Sequence, residues 1–127
     1  MSTKIGRAGE FLAAYILETF GIEVHHVDRD GADLWFKVRD SLTTVQVKAA
    51  SAPLAHSKDS NGRKGSLRYG YFCKNAKVDW YCFIALDKQL LLMRRADQVV
   101  TQTVRIEPKE FNEANQRRTI EEFMDSC

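Results

Sequence analysis

The stretch Thr44-Val45-Gln46-Val47-Lys48-Ala49-Ala50 decides the fold, because it has the pattern of a β-strand whose two faces differ in chemistry. Side chains alternate between the two faces of a strand, so the two valines and the first alanine share one face, which suits a protein core. Gln46 and Lys48 share the other face, far from any turn signal. This pattern predicts that one face of the strand packs in the core and that the other presents a functional site.

The chain has 127 residues, of which 44% are hydrophobic and 28% are charged, close to an average globular protein. We expect one domain over residues 1–127. No apolar run approaches the roughly 20 residues that span a bilayer, and charges interrupt the N-terminal segment where a signal peptide is apolar. We therefore expect no membrane association and a cytoplasmic location, in a bacterial or phage-infected host cell. The three cysteines have no CxxC spacing, which predicts neither a disulfide framework nor a zinc site.

Periodicity predicts an α+β fold with a small, mostly antiparallel or mixed sheet flanked by helices. Apolar residues at helical spacing predict a first helix that ends at Gly21. A continuous apolar run predicts a central strand, and Pro108 is placed at the first turn of a last helix. The predicted helices are 4–20 and 108–124, the predicted strands are 22–27, 33–39, 43–50, 78–86 and 89–93, and 51–70 is predicted to be a functional loop.

A hairpin places a carboxylate beside the polar face of this strand. A two-residue turn at Asp40-Ser41 sets Asp33 opposite Lys48 and Trp35 opposite Gln46. A turn with two more residues would shift the pairing but would keep Asp33 on the same face, since only an odd shift exchanges the faces. We therefore expect this carboxylate, an amide and an ammonium group to converge at one end of the hairpin.

The first helix adds a second carboxylate. Glu10 lies in line with Gly6, Ala13 and Leu17, on a face made of small and apolar residues. A carboxylate on such a face is costly unless a cation pairs with it, and either Lys48 or a metal ion would do so. Two carboxylates and an amide oxygen are suitable Mg²⁺ ligands, because this ion prefers oxygen and pairs with substrate phosphate.

These residues resemble the motif of the PD-(D/E)XK nucleases. In that family a helical Glu precedes an Asp at a strand start and a (Glu/Asp/Gln)-x-Lys on the partner strand. Here Glu10 stands within GRAGEFLAAYIL, Asp33 within GADLWFKV, and Gln46 and Lys48 within VQVKAAS. The resemblance covers about the first half of the chain and extends to VDWYCFIALDKQLLLM. Ala32 replaces the frequent proline of the family, and a glutamine replaces its usual acid.

The resemblance implies a restriction-endonuclease-like core and a magnesium-dependent endonuclease that hydrolyses phosphodiester bonds in double-stranded DNA. It implies Mg²⁺, with Mn²⁺ as a substitute, and a homodimer or homotetramer. The catalytic residues it implies are Glu10, Asp33, Gln46 and Lys48, and the metal ligands are the first three with the backbone carbonyl of Val47.

Within this superfamily, the QVK phrase is similar to homing endonucleases of cyanobacterial group I introns and their phage relatives, which favours a site-specific enzyme. A Holliday junction resolvase of the same fold, a catalytically inactive DNA-binding module and an interaction protein without a DNA role are the alternatives.

A basic segment between Ala52 and Trp80 carries six lysines and arginines against two aspartates. Clustered cations bind phosphate, and neighbouring aromatic rings contact sugars or bases. We expect DNA contacts from Arg63, Lys64, Arg68 and Tyr69. A solvated loop is the alternative for the charges, and core packing is the alternative for the aromatic residues.

Overall fold

The computed structural model describes residues 4–29, 32–38, 41–55, 67–73 and 77–126, with the backbone alone given between 27 and 41. The helices and strands confirm the predicted α+β class. In chain order they are α1 (Lys4–Thr19), β1 (Glu23–Arg29), β2 (Ala32–Val38), β3 (Ser41–Ala50), β4 (Leu54–Ala55), β5 (Leu67–Phe72), β6 (Trp80–Ala85), β7 (Leu90–Arg95), β8 (Thr103–Ile106) and α2 (Glu113–Ser126).

Helix α1 forms where the helical periodicity predicts it. Ala13, Ile16 and Leu17 are buried on one side of the helix, so the apolar stripe faces the core. The helix stops at Gly21, which has a φ of 83°, a conformation that favours glycine. The Gly21 N–H donates to the carbonyl of Glu18 at 3.0 Å, which satisfies one of the last carbonyls of the helix.

The larger sheet has five strands, with strand order β1-β2-β3-β6-β7. Strands β1, β2 and β3 form an antiparallel meander, and β6 and β7 also pair antiparallel. Strands β3 and β6 are parallel, so the sheet is mixed. The strand with the QVK phrase therefore lies at the centre of the sheet.

Two cores cover the two faces of this sheet. All six residues of β6 are buried, which explains its continuous apolar run. Trp80, Cys82 and Ile84 join a first core with the side chains of α1 and α2. Tyr81 and Phe83 join a second core on the opposite face, with side chains from β5 and β8.

A second sheet, with strand order β4-β5-β8, corrects the prediction of a loop over 51–70. Strand β4 pairs antiparallel with the start of β5, and both segments fall inside 51–70. Residues 56–66 between them lie outside the described residues. Tyr69, Tyr71 and Cys73 are buried at every second position, as expected of a strand with one face in a core. Tyr71 also donates its hydroxyl hydrogen to the carbonyl of Ile84 at 2.9 Å, which ties this strand to β6.

The last helix begins later than predicted. Pro108 starts a separate short 3-10 turn, Pro108–Glu110, and α2 begins at Glu113. Two of its side chains accept hydrogen bonds from the outer edge of β7: Gln116 Oε1 from the Leu91 N–H at 2.9 Å, and Thr119 Oγ1 from the Met93 N–H at 3.1 Å. These bonds occupy donors that an open edge strand would offer to another chain.

Neither α1 nor α2 is long and apolar enough to cross a membrane, and the same holds for every helical segment within the described residues.

Candidate functional site

The backbone of β2 and β3 sets one end of the site. Their register pairs Leu34 with Val45 and Val38 with Ser41. Continuing that register by one residue sets Asp33 opposite Gln46, on the face of the sheet that Gln46 shares with Lys48. The convergence of the three side chains stays a prediction, because only the backbone of residue 33 is described.

The predicted pairing within the hairpin is wrong by two residues. The two-residue connection falls on positions 39 and 40, which lie outside the described residues, rather than on Asp40-Ser41. Trp35 consequently lies opposite Thr44, not opposite Gln46, and Asp33 does not lie opposite Lys48. Moving a two-residue turn by one position shifts the pairing by two, which preserves the faces.

Gln46 carries the clearest physical signal in the site. Its side chain is half-buried, and Oε1 is shielded from solvent without a hydrogen-bond partner among the described residues. Native proteins pair the great majority of their buried polar atoms, because an orphaned acceptor forfeits its bonds to water. An amide oxygen left in this state is available to a ligand.

Lys48 follows two residues along, on the same face and half-buried. In the parallel pairing of β3 with β6 it lies beside Phe83, a member of the second core. Burial raises the pKa of the nearby Cys73 thiol, and the positive charges of Lys48 and Arg94 oppose that rise. The ammonium group of Lys48 therefore lies close enough to the end of β5 for its charge to stabilise the ionised form of the Cys73 thiol.

Helix α1 approaches β3 closely beside these residues. A Cβ atom on Gly9 would lie 2.6 Å from Ala49 Cβ and 3.6 Å from Val47 Cγ1, so only glycine allows this contact. Glu10 comes next in the helix and is half-buried. The helix contacts the face of the sheet opposite to Gln46, so the structure sets Glu10 at the level of the site but on the other side of the strand.

The end of β3 leaves a route between the two faces. Residues 48–50 extend past the start of β2, and within the described part of the chain they pair only with β6. Among the described residues, no strand therefore pairs with residues 48–50 on the side of β3 opposite to β6. The role of Glu10 as a ligand stays a prediction, as does the role of the Val47 carbonyl.

The shielded amide oxygen of Gln46 fits a magnesium ion, because it is a hard donor without a partner among the described residues and Mg²⁺ prefers oxygen ligands. Within the same residues no group of three or more His, Cys, Asp and Glu side chains could hold a metal ion. The side chain of Asp33 lies outside this set, since only its backbone is described.

The structure describes two of the four predicted DNA-contacting residues, Arg68 and Tyr69. Arg63 and Lys64 lie outside the described residues. Arg68 is half-exposed and forms an ion pair with Glu107 at 3.6 Å.

Tyr69 has no exposed surface and donates its hydroxyl hydrogen to Asp87 Oδ1 at 2.7 Å. The predicted contact of Tyr69 with DNA is therefore wrong, and this ring belongs to the second core. Burial and the Asp87 carboxylate both raise the pKa of the phenol, which keeps it protonated.

The sequence offers Arg94-Arg95 either as a second phosphate contact or as charges at a strand end, but it does not place Tyr81 and Arg94 beside Gln46. The register of β3 with β6 sets Gln46 beside Tyr81, and that of β6 with β7 sets Tyr81 opposite Arg94. Asp33, Gln46, Tyr81 and Arg94 thus form one row across four strands. Arg94 is separated from Leu91 and Met93 by odd numbers of residues, which places it on the face of the second core. Its pairing with Tyr81 depends on contacts distant in sequence and could not be predicted.

Comparison with solved structures gives a likeness over nearly the whole chain. No protein-family model matches the chain, and no curated protein matches it. Among solved structures, the chain is similar to the bacterial homing endonuclease I-Ssp6803I, with a TM-score of 0.69 and 15% sequence identity, over 99% of this chain and 94% of that one. At this identity the likeness shows that the two chains share a fold.

Proposed function

We propose that this protein is a magnesium-dependent endonuclease that hydrolyses phosphodiester bonds in double-stranded DNA at a specific site. The observation that carries the proposal is that the register sets residue 33 in the row of Gln46, whose amide oxygen has no partner among the described residues, on the face that Gln46 shares with Lys48. The shared fold with the bacterial homing endonuclease I-Ssp6803I supports the same function.

Asp33, Gln46 and Glu10 would hold the metal ion, together with the Val47 carbonyl. When bound, Mg²⁺ supplies positive charge that neutralises the charge developing on the phosphate. Mn²⁺ would bind the same oxygen ligands. The buried amide of Gln46 requires no proton loss before it binds a cation, so its donor strength does not change with pH near neutrality.

Lys48 acts on the reacting groups themselves. Its ammonium group donates hydrogen bonds to a non-bridging phosphate oxygen and orients the attacking water. The water oxygen forms a bond to phosphorus and gives up a proton to solvent, while the bond from phosphorus to the leaving oxygen breaks and that oxygen takes up a proton from solvent. The half-buried position of Lys48 limits solvent around this charge and strengthens its interaction with phosphate.

A homodimer or homotetramer follows from the substrate. Hydrolysis of both strands of a duplex requires two attacks on chains of opposite polarity, and two copies related by a two-fold axis would supply two such sites. The basic residues Arg63, Lys64 and Arg68 would contact the DNA backbone in each copy.

A catalytically inactive DNA-binding module is the second candidate, because Gln46 contributes no negative charge to the metal. This candidate predicts DNA binding that is unaffected by Mg²⁺ and by loss of Lys48.

The test is an end-mapping experiment with random-sequence duplex DNA and a labelled four-way junction, in Mg²⁺ and in EDTA. We expect clustered cuts in the duplex that vanish in EDTA and in Lys48→Met. Lys109→Met is the matched control, since that ammonium group is exposed and pairs with Glu107 at 3.2 Å. Nicks confined to the junction would indicate a resolvase, and binding without any cut would indicate the inactive module.

A further inference from the structure

A groove beside the candidate site has a positively charged wall. Its volume is about 510 Å³, and it is lined by four arginines and by three glutamates, Glu107, Glu110 and Glu122. The arginines are Arg68, Arg94, Arg105 and Arg118. The residues come from β5, β7, β8 and α2, so both sheets and the last helix contribute to the groove.

Two of these arginines already have acidic partners. Arg68 pairs with Glu107 at 3.6 Å, and Arg118 pairs with Glu122 at 3.1 Å. Each pair offsets one guanidinium charge with one lining glutamate, and the third lining glutamate, Glu110, forms no ion pair among the described residues. The positive charge that remains for a ligand therefore comes from the other two arginines, and it exceeds the single negative charge of Glu110 by one.

Arg94 and Arg105 have no ion pair within the described residues. The guanidinium carbon of Arg94 lies 5.6 Å from the centre of the Phe83 ring, a contact that fixes the side chain without neutralising its charge. The next residue along the strand, Arg95, points to the other face and pairs with Asp97 at 3.2 Å. Adjacent arginines of β7 thus differ in both face and partner.

The position of Arg94 relates the groove to the candidate site. It lies in the same row as Gln46, two strands away, and strands are spaced about 4.8 Å apart, which gives a separation of about 10 Å. Phosphates follow one another at about 3.4 Å of helix axis along one DNA strand, so this separation corresponds to about three phosphates. A cation at this distance would contact a phosphate about three positions from the reacting one.

We infer that Arg94 and Arg105 bind a backbone phosphate of the DNA that flanks the phosphate to be cleaved. The inference rests on the proposed function, since it takes Gln46 and Lys48 as the place of cleavage. A planar guanidinium group donates two parallel hydrogen bonds to a phosphate, which gives the contact direction as well as charge. The groove would then hold the substrate strand in register, while Lys48 acts on the reacting phosphate.

The test is DNA affinity against salt concentration in EDTA, where cleavage does not interfere. Each phosphate contact adds about 0.9 to the slope of log K against log salt. We expect Arg94→Gln and Arg105→Gln each to lower that slope by about 0.9 and to weaken affinity by roughly 3- to 10-fold at moderate salt. Arg95→Gln, the matched control, leaves both quantities unchanged. An unchanged slope in both groove variants, or an equal change in the control, would overturn the inference.

A second arm locates the phosphate. Duplexes carrying one neutral methylphosphonate at successive positions would identify a phosphate whose removal makes wild type and Arg94→Gln bind equally well. That position should lie about three phosphates from the cut. Arg94→Lys, which keeps the charge, separates loss of contact from loss of folding, because it should retain the slope while its melting temperature matches the wild type.

Further outcomes distinguish the two proposals. Wild-type cleavage with unchanged salt slopes in the groove variants would overturn the groove and leave the proposed function standing. A lowered slope without any cleavage by wild type in Mg²⁺ would support the groove and contradict the proposed function. Stabilisation by inorganic phosphate at constant ionic strength that depends on Arg94, without any effect of Arg94 on DNA binding, would show a site for free phosphate and overturn the DNA assignment.

Discussion

Replacing Gln46 by leucine should make the metal-free protein more stable and inactive. The wild-type side chain buries Oε1 without a partner among the described residues, and such an acceptor costs about 1–3 kcal/mol. Leucine is of similar length and needs no hydrogen bond. The substitution removes the cost, whereas it also removes a proposed ligand of the metal.

The size of the effect follows from the chain length. Unfolding entropy near 60 °C is about 2.1 cal/mol/K per residue, so for 127 residues each kcal/mol shifts the melting temperature by about 4 °C. Gln46→Leu should therefore melt about 4–11 °C above the wild type in EDTA. Added Mg²⁺ should raise the melting temperature of the wild type and leave that of the variant unchanged, because only a bound ligand stabilises the fold.

Gln116→Leu is the matched control, with the opposite expected sign. Gln116 Oε1 accepts a hydrogen bond from the Leu91 N–H at 2.9 Å, and its loss leaves that donor without a partner. The variant should melt about 4–11 °C below the wild type. If Gln46→Leu were destabilised to the same extent as Gln116→Leu, the Gln46 oxygen would have a partner in solution, and the reasoning would be refuted.

Three further predictions concern the scaffold of the site. Gly9→Ala would bring its Cβ atom to 2.6 Å from the Cβ atom of Ala49. Overpacking costs about 1–3 kcal/mol and the better helix propensity of alanine returns about 1 kcal/mol. Urea unfolding should therefore show a net loss of stability, which the second substitution Ala49→Gly relieves. An unchanged or higher stability of the single variant would contradict the close approach of α1 to β3. Thr119→Val should cost about 1–3 kcal/mol in the same assay, because it orphans a buried N–H of β7, and a neutral result would show another acceptor for that group. Burial raises the pKa of the Cys82 thiol above its ordinary 9.0 and that of the Tyr71 phenol above 10.0, so both ionise first in the unfolded chain. The contribution of each group to the free energy of unfolding should be constant below its ordinary pKa and then fall by about 1.4 kcal/mol per pH unit. Urea unfolding between pH 8 and 11 would measure this fall. Tyr71→Phe should reduce the slope above pH 10, and an identical slope would show that this phenol ionises equally in both states.

The faces of the central strand could be predicted from sequence, but its pairing could not. Alternation alone separates Gln46 and Lys48 from the two valines, and the structure confirms that the valines join the first core. The exact turn position depends on backbone geometry that neighbouring polar residues satisfy equally well. The predicted turn is one residue too late, so Asp33 was predicted to lie opposite Lys48, whereas the register sets it opposite Gln46. The predicted pairing is therefore wrong by two residues, and a shift by two leaves each residue on the same face of the sheet.

The second sheet could be predicted only in part: the sequence indicates an extended segment at 104–106 and offers a core strand at Tyr71 as an alternative, but not the pairing of the two. Strand β5 buries its residues at alternate positions, but those residues are Tyr69, Tyr71 and Cys73, whose polar atoms conceal the pattern inside a basic stretch. Its partner β8 lies more than thirty residues further along the chain, and no local signal reports such a pairing. The same difficulty concealed the parallel pairing of β3 with β6, which brings Tyr81 and Arg94 into the row of the site.

The role of Tyr69 shows where composition misleads. Aromatic residues interleaved with cations are typical of a nucleic-acid contact, and the stretch around Tyr69 has that composition. The hydroxyl group can be buried because Asp87, eighteen positions later, accepts its hydrogen at 2.7 Å. A buried tyrosine of this kind has the same local sequence as one that contacts DNA.

The central claim, that the polar face of the β2–β3 hairpin is a nuclease site, is tested most directly by single-turnover cleavage of the mapped duplex target in Mg²⁺. The enzymes compared would be wild type, Asp33→Asn and Lys48→Met, with affinity for the same DNA measured in EDTA. We predict that Asp33→Asn binds DNA at least as tightly as wild type and that Lys48→Met, which loses a phosphate contact, binds roughly 3- to 10-fold more weakly. Each variant should cleave at least about 100-fold more slowly when all the DNA is bound, since a removed electrostatic group costs that much in rate. Cleavage at the wild-type rate by either variant would contradict the account, because the residue concerned would then take no part in the chemistry.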